Sequence, residues 1–206
     1  EIPYKSIHIG EPDINFLDNE KTYADLLALE KICRRTEAET IVIHAHHFQN
    51  NREKRYNAVN DILKNQKVLI ENNGFDNEWG AKAFNVRSIL EDCPGFDFCL
   101  DIAHINDFPH IELRDYINDP VISSRTKEIH ASYSTILLSE DPYEKRGFNG
   151  YGPFHALFSV LDRKPSSNTS DFINGYPVVL EGIVPKEDKN LEFLKKEYRI
   201  ISKEKP

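Results

Sequence analysis

The chain has 206 residues, 39% of them apolar, and its 26 Lys and Arg against 34 Asp and Glu give a formal net charge of −8. This length and apolar content exclude a disordered chain and predict one domain with a proper core. The acidic balance argues against a general nucleic-acid binder, and the short apolar runs exclude a membrane-spanning segment. Three cysteines are too few and too odd in number for a disulfide scaffold, so we expect a reducing compartment and a cytoplasmic protein.

Short apolar runs predict six strands along the chain, at residues 4–9, 40–44, 67–71, 96–101, 127–131 and 177–181. The middle runs are continuously apolar, which is typical of strands buried on both faces of a parallel sheet. Apolar residues at helical spacing predict helices between them, at residues 21–35, 51–64, 79–90, 154–161 and 191–198. Residues 165–170 are predicted as a loop. Most strand-to-strand intervals are about 30 residues, the length of a βαβ unit.

Repeated βα units indicate either a doubly wound sheet or a (β/α)₈ barrel. No strand is followed by the Gly-rich phosphate-binding fingerprint, which counts against the nucleotide-binding doubly wound sheet. Each predicted strand instead ends at or next to a residue that can bind a metal, in the order His8, His44, Glu71, Asp101, His130 and Glu181. Because the C-terminal strand ends of a barrel converge on one mouth, this pattern favours an α/β fold of the (β/α)₈ TIM-barrel type with six parallel strands.

Four of these strand-end residues form a plausible ligand set of three carboxylates and one imidazole: Glu71, Asp101, His130 and Glu181. Such a mixed oxygen and nitrogen set suits Mn²⁺, Mg²⁺, Co²⁺ or Zn²⁺, and the lack of a thiolate argues against a structural zinc. A cation would also offset the repulsion between the acidic groups. The alternative is that each residue caps the following helix or forms an ordinary surface pair.

Four segments of the sequence resemble the strand-end motifs of the xylose-isomerase-like TIM-barrel superfamily, namely Glu71-Asn72-Asn73-Gly74, Cys99-Leu100-Asp101-Ile102-Ala103-His104, Ile129-His130 and Val178-Val179-Leu180-Glu181-Gly182. That superfamily includes sugar isomerases, ketose 3-epimerases, inosose dehydratases and endonuclease IV. The order and spacing of the motifs match over nearly the whole chain. The resemblance is specific for the fold and the metal site but not for the reaction.

The first functional hypothesis is a divalent-metal-dependent isomerase or epimerase of a sugar or sugar phosphate. The resemblance implies that the four ligands hold one ion, and that Glu71 and Glu181 are catalytic and exchange a proton with the carbon beside the substrate carbonyl. The ion would stabilise the resulting enediolate. We expect His104 to bind a substrate oxygen and Arg146, or its neighbour Lys145, to add a positive charge. The alternative for these three residues is a solvated loop position.

The second hypothesis is a phosphodiesterase like endonuclease IV, an enzyme with three zinc ions that cleaves DNA at abasic sites. The resemblance implies a second metal held by His8, His44 and Glu71. The third zinc site of that family needs an Asp-x-His before its Gly-x-Gly, and the matching stretch 145–152 lacks it, so that only His104 remains. With a net charge of −8 as well, the nuclease and its nucleic-acid partner rank second to a sugar substrate.

A third hypothesis is a degenerate, non-catalytic barrel that serves as a binding module.

The remaining histidines are assigned no role: His46 and His47 are expected to be solvated, although one could act as an alternative ligand. His110 and His155 are expected to be peripheral, the latter on a helix face.

The length of the chain bears on completeness, because a full (β/α)₈ barrel takes roughly 250 residues. The motifs match the third to eighth strands of the family, so we expect residues 1–206 to be one barrel domain that lacks the first two βα units at its N-terminus. The absence of Met and the start at Glu1 agree with this expectation. The strands bearing His8 and Glu181 would then expose edges that a partner, such as a second copy in a homo-oligomer, would have to cover.

Overall fold

The computed structural model of the protein describes residues 5–9, 14–16, 19–148 and 155–202. Contacts within the chain divide it into two compact units. Unit 1 comprises residues 1–99 and 115–127, and unit 2 comprises residues 100–114 and 128–206. Among the described residues, no helix is both long and apolar enough to cross a membrane.

Six strands form the sheet, and they are β1 (Ser6–His8), β2 (Thr40–His44), β3 (Lys67–Glu71), β4 (Phe96–Asp101), β5 (Thr126–Ala131) and β6 (Val178–Leu180). They follow one another in the sheet in chain order, with parallel pairing. The strands lie where the sequence predicts them, but β1 and β6 are shorter than the predicted 4–9 and 177–181. Tyr4 is outside the described residues. Six parallel strands with helices between them confirm the predicted α/β class and are consistent with six βα units of a TIM barrel.

The described part of unit 1 contains the α-helices α1 (Asn19–Thr36), α2 (Arg52–Ile62), α3 (Ala83–Asp92) and α6 (Pro120–Arg125). Strands β2 and β3 are almost entirely buried, as their continuous apolar sequences predict, and Val42, Leu69 and Cys99 pack together in the core. Helix α6 begins after Asp119, whose carboxylate accepts hydrogen bonds from Val121 N and Ile122 N. Its start is thus capped by a side chain.

Unit 2 contains α4 (Ile102–Asn106), α7 (Phe158–Leu161), α8 (Ser167–Ile173) and α9 (Glu192–Ser202). Helix α5 (Leu113–Ile117) contains a boundary between the two units. Tyr143, Ala156, Leu157 and Val160 form the apolar core of unit 2.

The structure corrects two expectations about the elements and adds three short helices. The segment predicted as a loop at 165–170 contributes to α8, whose first turn is capped by Ser166 Oγ accepting from Thr169 N at 3.2 Å. The helix predicted from Phe154 starts at Phe158, and Phe154 itself is outside the described residues. Helices α4, α5 and α6 were not predicted, because helices of five or six residues are too short to show a periodic apolar stripe.

Candidate metal centre

Unit 1 brings three of the predicted strand-end residues together, and we call His8, His44 and Glu71 the unit 1 cluster. His8 Nε2 lies 2.6 Å and His44 Nε2 lies 3.4 Å from the same oxygen, Glu71 Oε2. Glu71 is opposite His44 in the register of β2 and β3, which fixes this pairing. The carboxylate is fully buried, while 31% of the His8 side chain is exposed, so solvent reaches the cluster from the His8 side.

Two further histidines, His46 and His47, follow His44 along the chain in a single 3₁₀ turn (Ala45–Phe48). Two contacts tie His46 to Asn73: Asn73 Oδ1 accepts from His46 N at 2.8 Å, and Asn73 Nδ2 lies 2.7 Å from His46 Nδ1. His47 packs against Phe16, with ring centroids 5.1 Å apart. Burial and the neighbouring histidine charges lower the pKa of His47 from 6.5 to about 3. The expectation that this pair is solvated is therefore wrong.

Unit 2 gathers five residues that we call the unit 2 cluster: Asp101, His104, His130, His155 and Glu181. Asp101 ends β4 and caps α4 by accepting from His104 N at 3.1 Å. The His104 ring also lies near this carboxylate, with its Nε2 3.6 Å from Asp101 Oδ2. His130 is 1% exposed and its Nδ1 lies 3.1 Å from Glu181 Oε1.

His155 is the member of the unit 2 cluster that the sequence analysis missed. Its Nδ1 lies 3.6 Å from Glu181 Oε2, 3.8 Å from Asp101 Oδ2 and 2.8 Å from the hydroxyl of Ser132. The residue precedes α7 and has a left-handed φ of 35°, so its placement on a helix face was wrong. Its carbonyl accepts from Ile183 N at 2.8 Å, which holds it beside the end of β6. No strand-end pattern signals such a residue.

Both clusters have the chemistry of a divalent metal site. In unit 2, Asp101, His104 and His155 each offer a ligand atom within 4.8 Å of the others. Two ligand atoms at about 2.1 Å from one ion, at angles of about 90–110°, stand about 3.0–3.4 Å apart, and the His44–Glu71 and His130–Glu181 distances fall in this range. Imidazole and carboxylate donors without thiolate suit Zn²⁺, Mn²⁺ or Co²⁺. The residues present therefore fit a divalent ion.

The two basic residues predicted near the substrate lie in the 3₁₀ turn Glu144–Arg146 of unit 2. Lys145 pairs with Glu140 at 2.8 Å. Arg146 donates to Val160 O, and its guanidinium lies 5.6 Å from the centre of the Phe193 ring. A substrate role for Arg146 stays a prediction, as do the substrate role of His104 and the catalytic roles of Glu71 and Glu181. The Gly-x-Gly at 150–152 is outside the described residues.

No protein-family model matches the chain, and no curated protein matches its sequence. Solved structures match its fold. Endonuclease IV from Thermus thermophilus superposes with a TM-score of 0.64 at 15% identity, over 97% of this chain and 76% of that chain. The structure named AsfvAP:AG gives a TM-score of 0.66 at 12% identity, over 97% of this chain and 74% of that chain. The TTHB071 protein, also from Thermus thermophilus and soaked with ZnCl₂, gives a TM-score of 0.57 at 14% identity. The match covers 98% of this chain and 79% of that chain.

These likenesses cover nearly the whole chain at identities that show the fold alone. They agree with the strand-end motifs, because endonuclease IV is one of the proteins that the motifs resemble. The resemblance to the xylose-isomerase-like TIM-barrel superfamily is thus confirmed at the level of the fold.

Proposed function

We propose that this protein is a metal-dependent phosphodiesterase that cleaves nucleic acid and binds at least two divalent ions, one in each cluster. The sequence analysis ranked this function below a sugar isomerase. Its support comes from the number of imidazole donors, as well as from the likeness to a structure named as endonuclease IV.

The observation that carries the proposal is the pair of histidines on Glu71. His8 and His44 both direct Nε2 at one buried carboxylate oxygen. A one-metal isomerase with ligands Glu71, Asp101, His130 and Glu181 has no use for these two side chains. Imidazole nitrogens that converge on a carboxylate are what a further divalent ion requires.

His155 weakens the main sequence-based objection to a nuclease. That objection was the loss of the Asp-x-His pair, which left His104 as the one remaining residue of a third metal site. In unit 2, the ring centroids of His104 and His155 lie 5.2 Å apart, and both rings have a nitrogen within 4 Å of Asp101 Oδ2. His155, which follows the stretch 145–152 closely in the sequence, thus offers a donor that the sequence motif lacks.

The net charge of −8 is a weaker objection for a metal enzyme than for a metal-free binder. Each bound divalent ion adds two positive charges at its cluster, where a phosphate would approach. Unit 1 also places Lys54 and Arg55 beside Phe16 and Tyr23 in one pocket. Basic and aromatic side chains together are typical of surfaces that bind single-stranded nucleic acid.

Divalent ions in these clusters would supply an activated water and offset the charge that develops on the phosphate oxygens. The side chains of the chain have simpler tasks. Glu71 is placed to hold its two histidines in a fixed orientation. Glu181 has 16% of its side chain exposed, and it can orient a water or accept its proton.

The second candidate is the sugar isomerase or epimerase of the sequence analysis. The specific observation in its favour is the acidic balance of the chain, which suits a small neutral substrate better than a polyanion. The carboxylate of Glu181 beside His130 could serve proton transfer to carbon as well as to water.

Metal content and activity of a double variant distinguish the two functions. We expect the protein to bind at least two equivalents of Zn²⁺ or Mn²⁺ by elemental analysis and to cleave duplex DNA that contains one abasic-site analogue. His8→Ala with His44→Ala should remove about one equivalent and the cleavage, whereas exposed His110→Ala should change neither. A wild-type content of one equivalent that the double change leaves unaltered, together with isomerisation of a sugar, would contradict the proposal.

A further inference from the structure

His130 lies between two carboxylates of unit 2, one at each ring nitrogen. Its Nε2 is 2.7 Å from Glu128 Oε1 and its Nδ1 is 3.1 Å from Glu181 Oε1. Glu128 and His130 are two residues apart on β5 and therefore share a face of the strand. Glu181 stands two residues after Val179, the partner of His130 in the register of β5 and β6. The sheet thus aligns all three side chains.

We propose that Glu128 is a positioning residue, which fixes the tautomer and the ring orientation of His130 so that Nδ1 binds the metal ion together with Glu181. The inference rests on the proposed function only in one respect, which is that a divalent ion binds at His130. It holds equally for a phosphodiesterase and for an isomerase. Neither the strand-end motifs nor the metal-ligand groups of the sequence analysis include Glu128.

The two distances assign different roles to the two carboxylates. The 2.7 Å between Nε2 and Glu128 is the length of a charge-assisted hydrogen bond. It is shorter than the separation of about 3.0–3.4 Å expected for neighbouring ligands of one ion. The 3.1 Å between Nδ1 and Glu181 lies within that range. On distance alone Glu128 fits a hydrogen-bond partner and Glu181 fits a fellow ligand. Because His8 Nε2 and Glu71 Oε2 in unit 1 are equally close, burial and the tautomer of His130 carry the assignment.

Burial gives the same assignment independently. Glu128 is 0% exposed and lies farther back on β5, whereas Glu181 follows the end of β6 and has 16% of its side chain exposed. An ion arriving from solvent reaches the Glu181 side of the ring. A carboxylate buried as deeply as Glu128 is stabilised when it accepts a hydrogen bond from a fixed donor.

The proton on Nε2 makes Nδ1 a ligand. A carboxylate can only accept, so Glu128 favours the tautomer that carries its proton on Nε2 and its lone pair on Nδ1. That lone pair faces Glu181 Oε1, and two electron-rich atoms at this distance are stabilised by a cation between them. Carboxylate–histidine–metal arrangements of this kind orient ligands in many metal sites, and their loss typically costs about 10–100-fold in affinity.

The test compares Glu128→Leu with Glu128→Gln, using Zn²⁺ competition against a chelating dye. Leu removes the acceptor, so we expect about 10–100-fold weaker binding of one equivalent. Gln keeps a neutral acceptor oxygen and should lose less. Glu197→Gln is the matched control, because Glu197 is also a buried carboxylate of unit 2 but accepts from Phe158 N and Ser159 N. It should leave the Zn²⁺ affinity within about twofold of the wild type.

Long-range ¹H–¹⁵N spectra of the histidine rings provide a readout that a general loss of stability would not change. A slowly exchanging proton on His130 Nε2 is expected in the wild type with and without Zn²⁺, and in Glu128→Gln, but not in Glu128→Leu. If the protein binds no metal, the proposed function fails, while the Nε2 proton still tests the role of Glu128.

Two results would overturn the proposal. One is a Glu128→Leu variant that binds Zn²⁺ as tightly as the wild type. The other is a Glu128→Gln variant that loses the ion completely, because this would make Glu128 a ligand itself. Should Glu128→Leu fail to fold, the affinity and the Nε2 proton of Glu128→Gln decide between positioning and ligation.

Discussion

His8 Nε2 lies 2.6 Å from Glu71 Oε2, although the two residues are on β1 and β3, with β2 between them. His44, at the end of β2, also directs its ring at Glu71. A buried carboxylate oxygen that is contacted by imidazole nitrogens from two other strands is a specific arrangement. It gives unit 1 a metal-binding potential that does not depend on its other acidic residues.

Metal binding should stabilise the protein through this carboxylate. A ligand at about 100 times its Kd adds about 2.7 kcal/mol to the free energy of unfolding, so Zn²⁺ should raise the midpoint of thermal unfolding. In Glu71→Gln the rise should be smaller, because the amide lacks the charge that attracts the ion. Thermal melts across a Zn²⁺ titration measure this. The control is Glu37→Gln, which removes an exposed partner of Lys5, and an equal rise in both variants would exclude Glu71 as a ligand.

Replacing Glu181 should separate metal binding from turnover. In Glu181→Gln the amide keeps an oxygen that can act as a ligand but can no longer accept a proton. With Zn²⁺ in excess, so that a weaker ligand still fills the site, we expect metal content close to that of the wild type and a loss of activity of about 100-fold or more. Elemental analysis and initial rates give the two values. Glu140→Gln, at an exposed ion pair with Lys145, should leave both unchanged. Activity that survives Glu181→Gln would remove this residue from the mechanism.

The partly buried ring of His47 should make stability depend on pH. Burial lowers its pKa from 6.5 to about 3, so below pH 6.5 the unfolded chain binds a proton that the folded chain does not. The free energy of unfolding should therefore fall as pH decreases from about 6.5 towards 3, by up to about 1.4 kcal/mol per pH unit from this group. Urea unfolding between about pH 7.5 and pH 5 covers the upper part of this interval and measures the slope. It should be shallower in His47→Phe, and an unchanged slope would show that other groups cause it.

The carboxylate of Glu197 should hold α7 and α9 together. Oε1 accepts from Phe158 N at 3.0 Å and Oε2 accepts from Ser159 N at 2.7 Å. In Glu197→Gln one of these oxygens becomes an amide NH₂ that faces a backbone N–H, and we expect a loss of about 1–3 kcal/mol in the free energy of unfolding. Urea unfolding measures it, with exposed Glu192→Gln on the same helix as the control.

The same residue gives a second, opposite pH dependence. Burial raises the pKa of Glu197 above its ordinary value of 4.5, so the unfolded chain releases the proton at lower pH than the folded chain. The contribution of Glu197 to stability should therefore decrease as pH rises from 4.5 through the raised pKa. Comparing wild type and Glu197→Gln across this interval isolates the effect, and a difference that grows with pH would contradict it.

Periodicity predicted the long elements well and the short ones poorly. Continuous apolar runs identified β2 and β3, since a strand buried on both faces has few polar positions to interrupt it. Helix α8 was missed because its capping serine and the polar residues after it have the composition of a loop. Capping and turn residues are the same residue types, and only the backbone hydrogen bonds distinguish them.

By itself, the sequence determined the parallel α/β fold and the candidate metal-ligand residues at the ends of its strands. Both follow from local patterns: apolar runs of strand length, helical spacing between them, and His, Asp or Glu where each run stops. Only the tertiary structure decided that Glu128 lies against the ring of His130 and that His155 joins Asp101 and His104. Glu128 sits within a strand and His155 in an irregular segment, so neither occupies a position that a strand-end pattern predicts. Contacts made across distant parts of a chain depend on register and on packing, which a local pattern does not contain.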